Sequence, residues 1–145
     1  MDTTGNTAAQ GIPWPAGRGR LDGRIALVFG AGCVGEGWGN GKATAVAYAR
    51  EGATVIAVDR NGDAAEETRA IIAADGGRCL AFAADVTREG DIARVVAETQ
   101  ARCGRIDVLH NNVGTTIMGG PVELTEAQWD TVLDVNLKSI FLTCR

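Results

Sequence analysis

A glycine-rich turn between an apolar strand and a helix constrains the fold of this chain more than any other feature. Residues 25–29 form a short continuous apolar run, which is typical of a strand buried on both faces of a sheet. Six glycines follow within residues 30–41, and an alanine-rich helical segment runs from Lys42 to Arg50. A strand that passes through glycines into a helix is typical of a βαβ unit whose turn binds phosphate. The pattern therefore predicts a parallel α/β fold with its binding site at this turn.

The alternation of strand and helix continues to the end of the chain. Further strands are predicted at residues 54–58, 79–83 and 106–110, and further helices at residues 63–75, 87–103 and from Thr125 onward, with Thr87 and Thr125 as N-caps. Such alternation requires right-handed crossovers and gives a doubly wound parallel sheet, the Rossmann fold, with strand order 3-2-1-4. Residues 21–145 are therefore interpreted as the N-terminal portion of a dinucleotide-binding Rossmann domain, and the polar residues 1–20 as a flexible N-terminal arm.

Composition argues against several other classes of protein. The 145 residues carry a net charge of −4 without a basic cluster, which disfavours a nucleic-acid partner. No apolar run approaches the length of about 20 residues that a membrane span needs, and the N-terminus lacks the features of a signal peptide. Four widely spaced cysteines and one histidine form no metal-ligand pattern. We therefore expect a cytoplasmic protein with reduced thiols, no metal and no membrane contact.

The spacing within the turn leaves two alignments of the phosphate-binding glycines. Gly30, Gly32 and Gly35 match the G-x-G-x-x-G fingerprint literally, whereas Gly39 and Gly41 stand directly at the helix start. The ribose-binding acid should follow the last glycine by about 20 residues, and Asp59 lies 18 residues beyond Gly41 but 24 beyond Gly35. We therefore take Gly41 as the helix-packing glycine and part of residues 33–38 as an insertion. The cofactor-binding candidates in the turn are Gly30, Gly32, Gly39, Asn40 and Gly41.

Two charged residues at the end of the second strand bear on the choice of cofactor. Asp59 can accept hydrogen bonds from the ribose hydroxyls of a dinucleotide and would repel a 2′-phosphate, which favours NAD over NADP. Arg60 is a further candidate because a guanidinium there can pair with a phosphate, although a solvated loop charge is the interpretation we favour. The sequence therefore predicts NAD as the preferred cofactor and NADP as the less favoured one.

Five segments in this order resemble the N-terminal part of the short-chain dehydrogenase/reductase family, over about residues 20 to 145. The first is the entry into the first strand. The second is the glycine-rich turn, which resembles a T-G-x-x-x-G-x-G loop lengthened by several residues. The others are Asp85-Val86 after the third strand, Asn111-Asn112-Val113-Gly114 after the fourth, and Asn136 in the last helix.

The resemblance implies roles for these residues. Asp85, with Val86, corresponds to the family's acid that hydrogen-bonds the adenine. Asn112, Val113 and Gly114 correspond to a segment that lies by the cofactor. Asn136 corresponds to the helix asparagine that holds a water in the proton relay, and it is the one catalytic candidate in these residues.

Besides the lengthened glycine-rich loop, the chain departs from the family pattern at two places. Phe29 stands where the family usually has threonine before the glycine-rich loop. The family's catalytic serine and Tyr-x-x-x-Lys motif are also missing, since the single tyrosine, Tyr48, is followed four residues later by Gly52. Tyr48 is therefore expected to belong to the core. We expect the 145 residues to be a fragment that turns nothing over alone, with the complete protein forming a homodimer or homotetramer.

Three functions are weighed against this pattern. The first is an NAD(P)-dependent oxidoreductase that transfers a hydride between a nicotinamide cofactor and a small-molecule secondary alcohol or ketone, with a 3-oxoacyl reductase as one example. The alternative is a non-catalytic nucleotide-binding module or degenerate subunit. A methyltransferase is disfavoured, because that class usually has an acid at the end of the first strand, where this chain has Phe29.

Overall fold

The computed structural model describes residues 17–35 and 37–145. Strands and helices alternate through most of this part of the chain. The strands are β1 Ile25–Phe29, β2 Thr54–Asp59, β3 Arg78–Ala83 and β4 Val108–Asn111. The helices are α1 Asn40–Arg50, α2 Gly62–Ala74, α3 Glu89–Cys103, α4 Glu126–Leu133 and α5 Ser139–Cys144, with a π-helical turn over Asp134–Lys138 between the last two.

The four strands form one parallel sheet in the order β3-β2-β1-β4. At its centre, Leu27 of β1 lies between Ile56 of β2 and Leu109 of β4. The predicted strand order and the Rossmann-type architecture are confirmed. Because all strands run in one direction, the segments that follow them meet at one edge of the sheet, which is where ligands bind in doubly wound folds.

Apolar side chains cover both faces of the two inner strands, β1 and β2, which explains why their sequences are continuously apolar. The outer strands, β3 and β4, are only partly buried. Alternate residues of β1 point to opposite faces. One face packs against α1 and α2, and its core includes Ala26, Val28, Val46, Ala49 and Ile72. The other packs against α3, and its core includes Leu27, Phe29, Ile56, Ile92 and Val95. Packing in these two core layers fixes the ends of β1 and β2 relative to the helices.

The fourth strand begins two residues later than the sequence predicts. Asp107 donates its backbone N–H to the Ile25 carbonyl at 2.9 Å, and its carboxylate accepts the Ile25 N–H at 2.8 Å. The side chain thus replaces the backbone partner at this position, and regular pairing of β4 with β1 starts only at Val108.

The last helical segment is capped as predicted but is not continuous. Thr125 and Gln128 form a capping box, in which the Gln128 N–H donates to Thr125 Oγ1 at 3.3 Å and the Thr125 N–H donates to Gln128 Oε1 at 2.9 Å. The π-helical turn then interrupts the helix. Three large apolar side chains of this segment remain more than half exposed, namely Trp129, Leu137 and Phe141.

Most of the predicted N-terminal arm, residues 1–16, lies outside the described residues. The described end of the arm is tied to the domain through Glu51, just after α1. The Glu51 carboxylate accepts the backbone N–H groups of Arg18 at 3.0 Å and Arg20 at 3.1 Å, and it pairs with the Arg20 guanidinium at 2.8 Å. Among the described residues, no helix has the length and apolar character needed to cross a bilayer.

The Glu51 contacts predict a dependence of stability on pH. Hydrogen bonds from Arg20 and Arg18 lower the pKa of Glu51 from 4.5 to about 2, with burial opposing them. Because the pKa is lower in the folded chain, this stabilisation is complete above pH 4.5 and is lost as the pH falls towards 2. We expect the chain to melt at a higher temperature than Glu51→Gln at pH 6, and the difference to shrink at pH 3. A difference between the two melting temperatures that stays constant across this range would contradict the role of Glu51.

Candidate functional site

The N-terminus of α1 leaves its first N–H groups available to an anion. Its N-cap, Gly39, is extended, with φ of −93° and ψ of 162°, and among the described residues no side chain caps the helix. The first turn also contains no acidic residue. The unpaired N–H groups of a first turn and the positive end of the helix dipole together favour a bound phosphate.

Gly41 lies at the point where α1 approaches the end of β1 most closely. A Cβ atom at this position would overlap the Gly30 carbonyl oxygen and would lie 2.7 Å from Nδ2 of Asn112. That same Nδ2 donates a hydrogen bond to the Gly30 carbonyl at 3.2 Å. A residue with any side chain would push the helix away from the strand. Gly41 is therefore the helix-packing glycine of this turn.

The residues that flank the insertion on its two sides lie close together in the turn. A Cβ atom on Gly39 would lie 3.3 Å from Sγ of Cys33 and 3.3 Å from the Gly32 carbonyl oxygen, so the two flanks of the insertion are in contact. We call the described residues of this insertion, 34–35 and 37–38, the excursion. Gly35 belongs to it and would have nothing within 4 Å of a Cβ atom. The literal G-x-G-x-x-G alignment therefore does not describe the packing of this turn.

Asp59 joins the end of β2 to the base of the glycine-rich turn. Its Oδ2 accepts the Gly32 N–H at 2.9 Å, and its Oδ1 accepts the Asn61 N–H at 2.9 Å. Gly32 is itself closely packed, since a Cβ atom there would lie 2.6 Å from that of Ala64. Each carboxylate oxygen can accept a further hydrogen bond. The half-buried carboxylate can thus also accept a hydroxyl group beside the turn.

Asp85 lies beyond the end of β3 and is held by Thr87. Its Oδ1 accepts the Thr87 N–H at 2.9 Å and the Thr87 hydroxyl at 2.7 Å. Partial burial raises the pKa of Asp85, but the bonds from Thr87 and the charges of Arg60 and Arg88 outweigh that effect and hold the pKa below its usual value. The carboxylate is therefore charged at neutral pH. Val86, between the two, is buried in the core.

The prediction that Thr87 caps α3 is wrong. Arg88 is the N-cap of this helix, without a capping hydrogen bond from its side chain. The Thr87 hydroxyl donates to the Asp85 carboxylate, a stronger acceptor than a neutral group would be. Thr87 therefore positions Asp85, a role that the local sequence pattern does not indicate.

The segment after β4 packs between the glycine-rich turn and the last helical segment. Besides the bond from Asn112 to Gly30, the Val113 side chain lies 3.1 Å from where a Gly30 Cβ atom would be. Farther along, the Thr115 N–H donates to Oδ1 of Asn136 at 2.7 Å, and Nδ2 of Asn136 donates to the Thr115 carbonyl at 2.8 Å. The segment is thus fixed at both ends.

Asn136 lies in the π-helical turn over Asp134–Lys138. Turns of this kind inside α-helices are frequent at functional sites. Two of the hydrogen bonds that its amide can make go to Thr115, which leaves one N–H and one lone pair. Its Oδ1 also lies 3.5 Å from where a Gly114 Cβ atom would be, so the side chain borders the 112–114 segment.

The predicted site residues are brought together at the carboxyl edge of the sheet. The turn glycines, Asp59, Asp85 and residues 112–114 all follow or flank strand ends there, and Asn136 reaches the same region through Thr115. Arg60 is exposed. Tyr48 lies elsewhere, packed against the core with its ring centroid 5.8 Å from that of His110. No cluster of metal-ligating side chains occurs in residues 17–35 and 37–145.

The parallel sheet order and the glycine-rich turn between β1 and α1 together define a Rossmann-type α/β protein. The family model of the short chain dehydrogenases matches residues 24–145. The chain belongs to this family.

Similar proteins include two enzymes whose names give different substrates. The chain is 39% identical over 126 residues to a D-threitol dehydrogenase of Mycolicibacterium smegmatis, covering 87% of this chain and 46% of that protein. It is 40% identical over 126 residues to a 3-oxoacyl-[acyl-carrier-protein] reductase of Thermotoga maritima, covering 84% and 48%. A short-chain dehydrogenase/reductase structure from Burkholderia xenovorans matches with 52% identity and a TM-score of 0.84, covering 87% and 50%. The chain thus spans about half the length of these relatives.

Proposed function

We propose that the whole protein is an NAD-dependent oxidoreductase that transfers a hydride between the nicotinamide and a small secondary alcohol or ketone. The observation that carries the proposal is the arrangement at the start of α1. There an uncapped helix N-terminus, a glycine that no other residue can replace, and a carboxylate at the end of β2 lie around one turn. A 3-oxoacyl reductase is one form of this activity.

The residues around the turn fit the parts of NAD. Gly30, Gly32 and residues 39–41 would hold the pyrophosphate, since the uncapped α1 N-terminus offers N–H donors and the crowding at Gly41 keeps the backbone close. Asp59 would accept the ribose hydroxyls, and its charge disfavours the 2′-phosphate of NADP. Asp85 and Val86 would border the adenine, and residues 112–114 the remainder of the dinucleotide. Bound NAD supplies the nicotinamide ring that accepts or releases a hydride.

Asn136 is proposed to hold a water that relays protons to the reacting alcohol. Its amide is oriented by the two hydrogen bonds with Thr115 and keeps a free N–H and a free lone pair. A side chain fixed in this way can hold a water in one position, because its rotation would break both bonds. Asn136 would thus hold this water next to residues 112–114.

The 145 residues are proposed to bind NAD weakly and to turn nothing over by themselves. The acid–base groups of the family, a serine and Tyr-x-x-x-Lys, have no counterpart among these residues. They would come from the remainder of a longer protein, which is proposed to be a cytoplasmic homodimer or homotetramer. Turnover of an alcohol by the purified 145-residue chain would contradict this assignment.

Titration of the chain with NAD⁺ and NADP⁺ tests the proposed function. We expect NAD⁺ to bind at least about tenfold more tightly than NADP⁺, because Asp59 and a 2′-phosphate would place like charges together. Tryptophan fluorescence follows binding, since Trp38 belongs to the excursion. Tighter binding of NADP⁺ would overturn the cofactor assignment. Binding of NAD⁺ by the whole protein without turnover of any alcohol would favour a nucleotide-binding module instead.

A further inference from the structure

Lys42 is buried although it carries a charge, and the proposed function does not account for it. Its side chain is 1% exposed, in the first turn of α1 next to Gly41. Lysine is among the residues that are almost never fully buried unless they are paired. A buried ammonium group at this position therefore indicates a specific role in the turn.

Two contacts hold the Lys42 ammonium group. Nζ donates to the Gly37 carbonyl at 2.9 Å and pairs with Oε1 of Glu67, on α2, at 2.9 Å. The Glu67 side chain is 58% exposed, so this partner reaches the ammonium from the solvent side. Removing one member of such a pair leaves a buried charge or an unpaired carbonyl, which is unfavourable. Lys42, which belongs to α1, thus links the excursion to α1 and, through Glu67, to α2.

The excursion joins the turn next to the groups that are proposed to bind the dinucleotide. One flank, Cys33, follows Gly32, which donates its N–H to the Asp59 carboxylate. The other flank, Gly39, is the N-cap of α1. The excursion therefore arises between the group proposed to bind the ribose and the groups proposed to bind the pyrophosphate. Lys42 fixes it near its far end, at Gly37.

We propose that Lys42 is a positioning residue, which holds the excursion against the adenosine diphosphate half of NAD. The proposal rests on the proposed function. Lys42 acts through the Gly37 carbonyl, while Glu67 balances its charge, so the ammonium group positions the backbone and does not itself bind phosphate. Loss of the anchor would leave the fold in place and weaken binding of every ligand that carries adenosine diphosphate.

The test compares three variants in NMR-detected titrations with NAD⁺ and ADP. Lys42→Met keeps the length of the side chain but removes the donor, and Glu67→Gln removes the balancing charge. Glu66→Gln is the matched control, because Glu66 is the neighbouring glutamate and pairs with Arg69 instead. We expect Lys42→Met to weaken NAD⁺ and ADP alike by about tenfold, Glu67→Gln by less, and Glu66→Gln by less than about twofold.

Hydrogen exchange of the ligand-free chain provides a second measurement. Lys42→Met should speed exchange of the backbone amides in the excursion while the strands exchange as before. Faster exchange with unchanged affinity for NAD⁺ and ADP would overturn the proposal, and so would a loss of NAD⁺ affinity alone. If Lys42→Met does not fold, hydrogen exchange of Glu67→Gln decides: faster exchange at Gly37 and Trp38 with full affinity for both ligands would contradict the proposal.

Failure of the proposed function can be recognised separately. A chain that binds neither NAD⁺ nor ADP contradicts the proposed function and, with it, the role of Lys42 in binding. The exchange rates of the excursion would then still show whether Lys42 holds it in place.

Discussion

Replacement of Gly41 by alanine is expected to abolish binding of NAD and to lower the melting temperature of the chain. The added methyl group would overlap the Gly30 carbonyl oxygen and crowd Nδ2 of Asn112. The carbonyl is part of the backbone and cannot rotate away as a flexible side chain could, so α1 must move from the end of β1. Overpacking of this kind costs about 1–3 kcal/mol or more. Thermal unfolding and an NAD⁺ titration measure the two effects.

Gly90→Ala is the matched control for this variant. Gly90 lies in the first turn of α3, has a negative φ, and would have nothing within 4 Å of a Cβ atom. Alanine there is expected to be neutral or to stabilise the chain by up to about 1 kcal/mol. If Gly41→Ala melted and bound NAD⁺ like Gly90→Ala, the close approach of α1 to β1 would be refuted.

Asp59→Asn is expected to destabilise the glycine-rich turn and to reduce the preference for NAD over NADP. The carboxylate accepts an N–H from Gly32 and another from Asn61 on its two oxygens. An asparagine has only one acceptor oxygen, so its amino group would face one of these donors. Losing a hydrogen bond to a charged group costs about 1.5–3 kcal/mol. The loss of the negative charge should also narrow the difference between NAD⁺ and NADP⁺ affinity.

Asp63→Asn controls for the loss of a negative charge in the same region. Asp63 is exposed in the first turn of α2, where its charge interacts favourably with the helix dipole, a contribution of about 0.3–1 kcal/mol. Its ratio of NAD⁺ to NADP⁺ affinity should match that of the unmodified chain. If the two substitutions changed this ratio equally, Asp59 would have no specific role in cofactor choice.

The arrangement of the strands and the alignment of the turn could be predicted from the sequence because both depend on spacing along the chain. One helix and one strand must fit between Gly41 and Asp59, and their lengths are set by regular geometry. The continuous apolar runs at residues 25–29 and 54–58 likewise indicate strands buried on both faces, which the two core layers confirm for β1 and β2.

Other features depend on contacts between distant residues and could not be read from local pattern. The start of β4 depends on the Asp107 carboxylate replacing a backbone partner of Ile25, across the sheet. The burial of Lys42 depends on Glu67 of α2. Threonine two residues after an aspartate is compatible with an N-cap. Thr87 instead donates its hydroxyl to the charged carboxylate of Asp85, and the helix begins only at Glu89, after Arg88.

The π-helical turn had a weak signal in the sequence. Asparagine is a poor helix former, so Asn136 within an apolar helix was the anomaly that a regular α-helix does not explain. Its two hydrogen bonds with Thr115 cross from the helix to the loop after β4. Their presence could be inferred only once the two elements were placed side by side.

A dinucleotide site at the glycine-rich turn is tested most directly by mapping the backbone amides that NAD⁺ perturbs in the NMR spectrum of the chain. We expect the largest shifts at Gly32, at the α1 N-terminus over residues 39–41, and at residues 112–114. Amides in the last turns of α3, at the opposite edge of the sheet, should not move. Shifts confined to other parts of the surface, or none at saturating NAD⁺, would contradict the claim that this glycine-rich turn is a dinucleotide site.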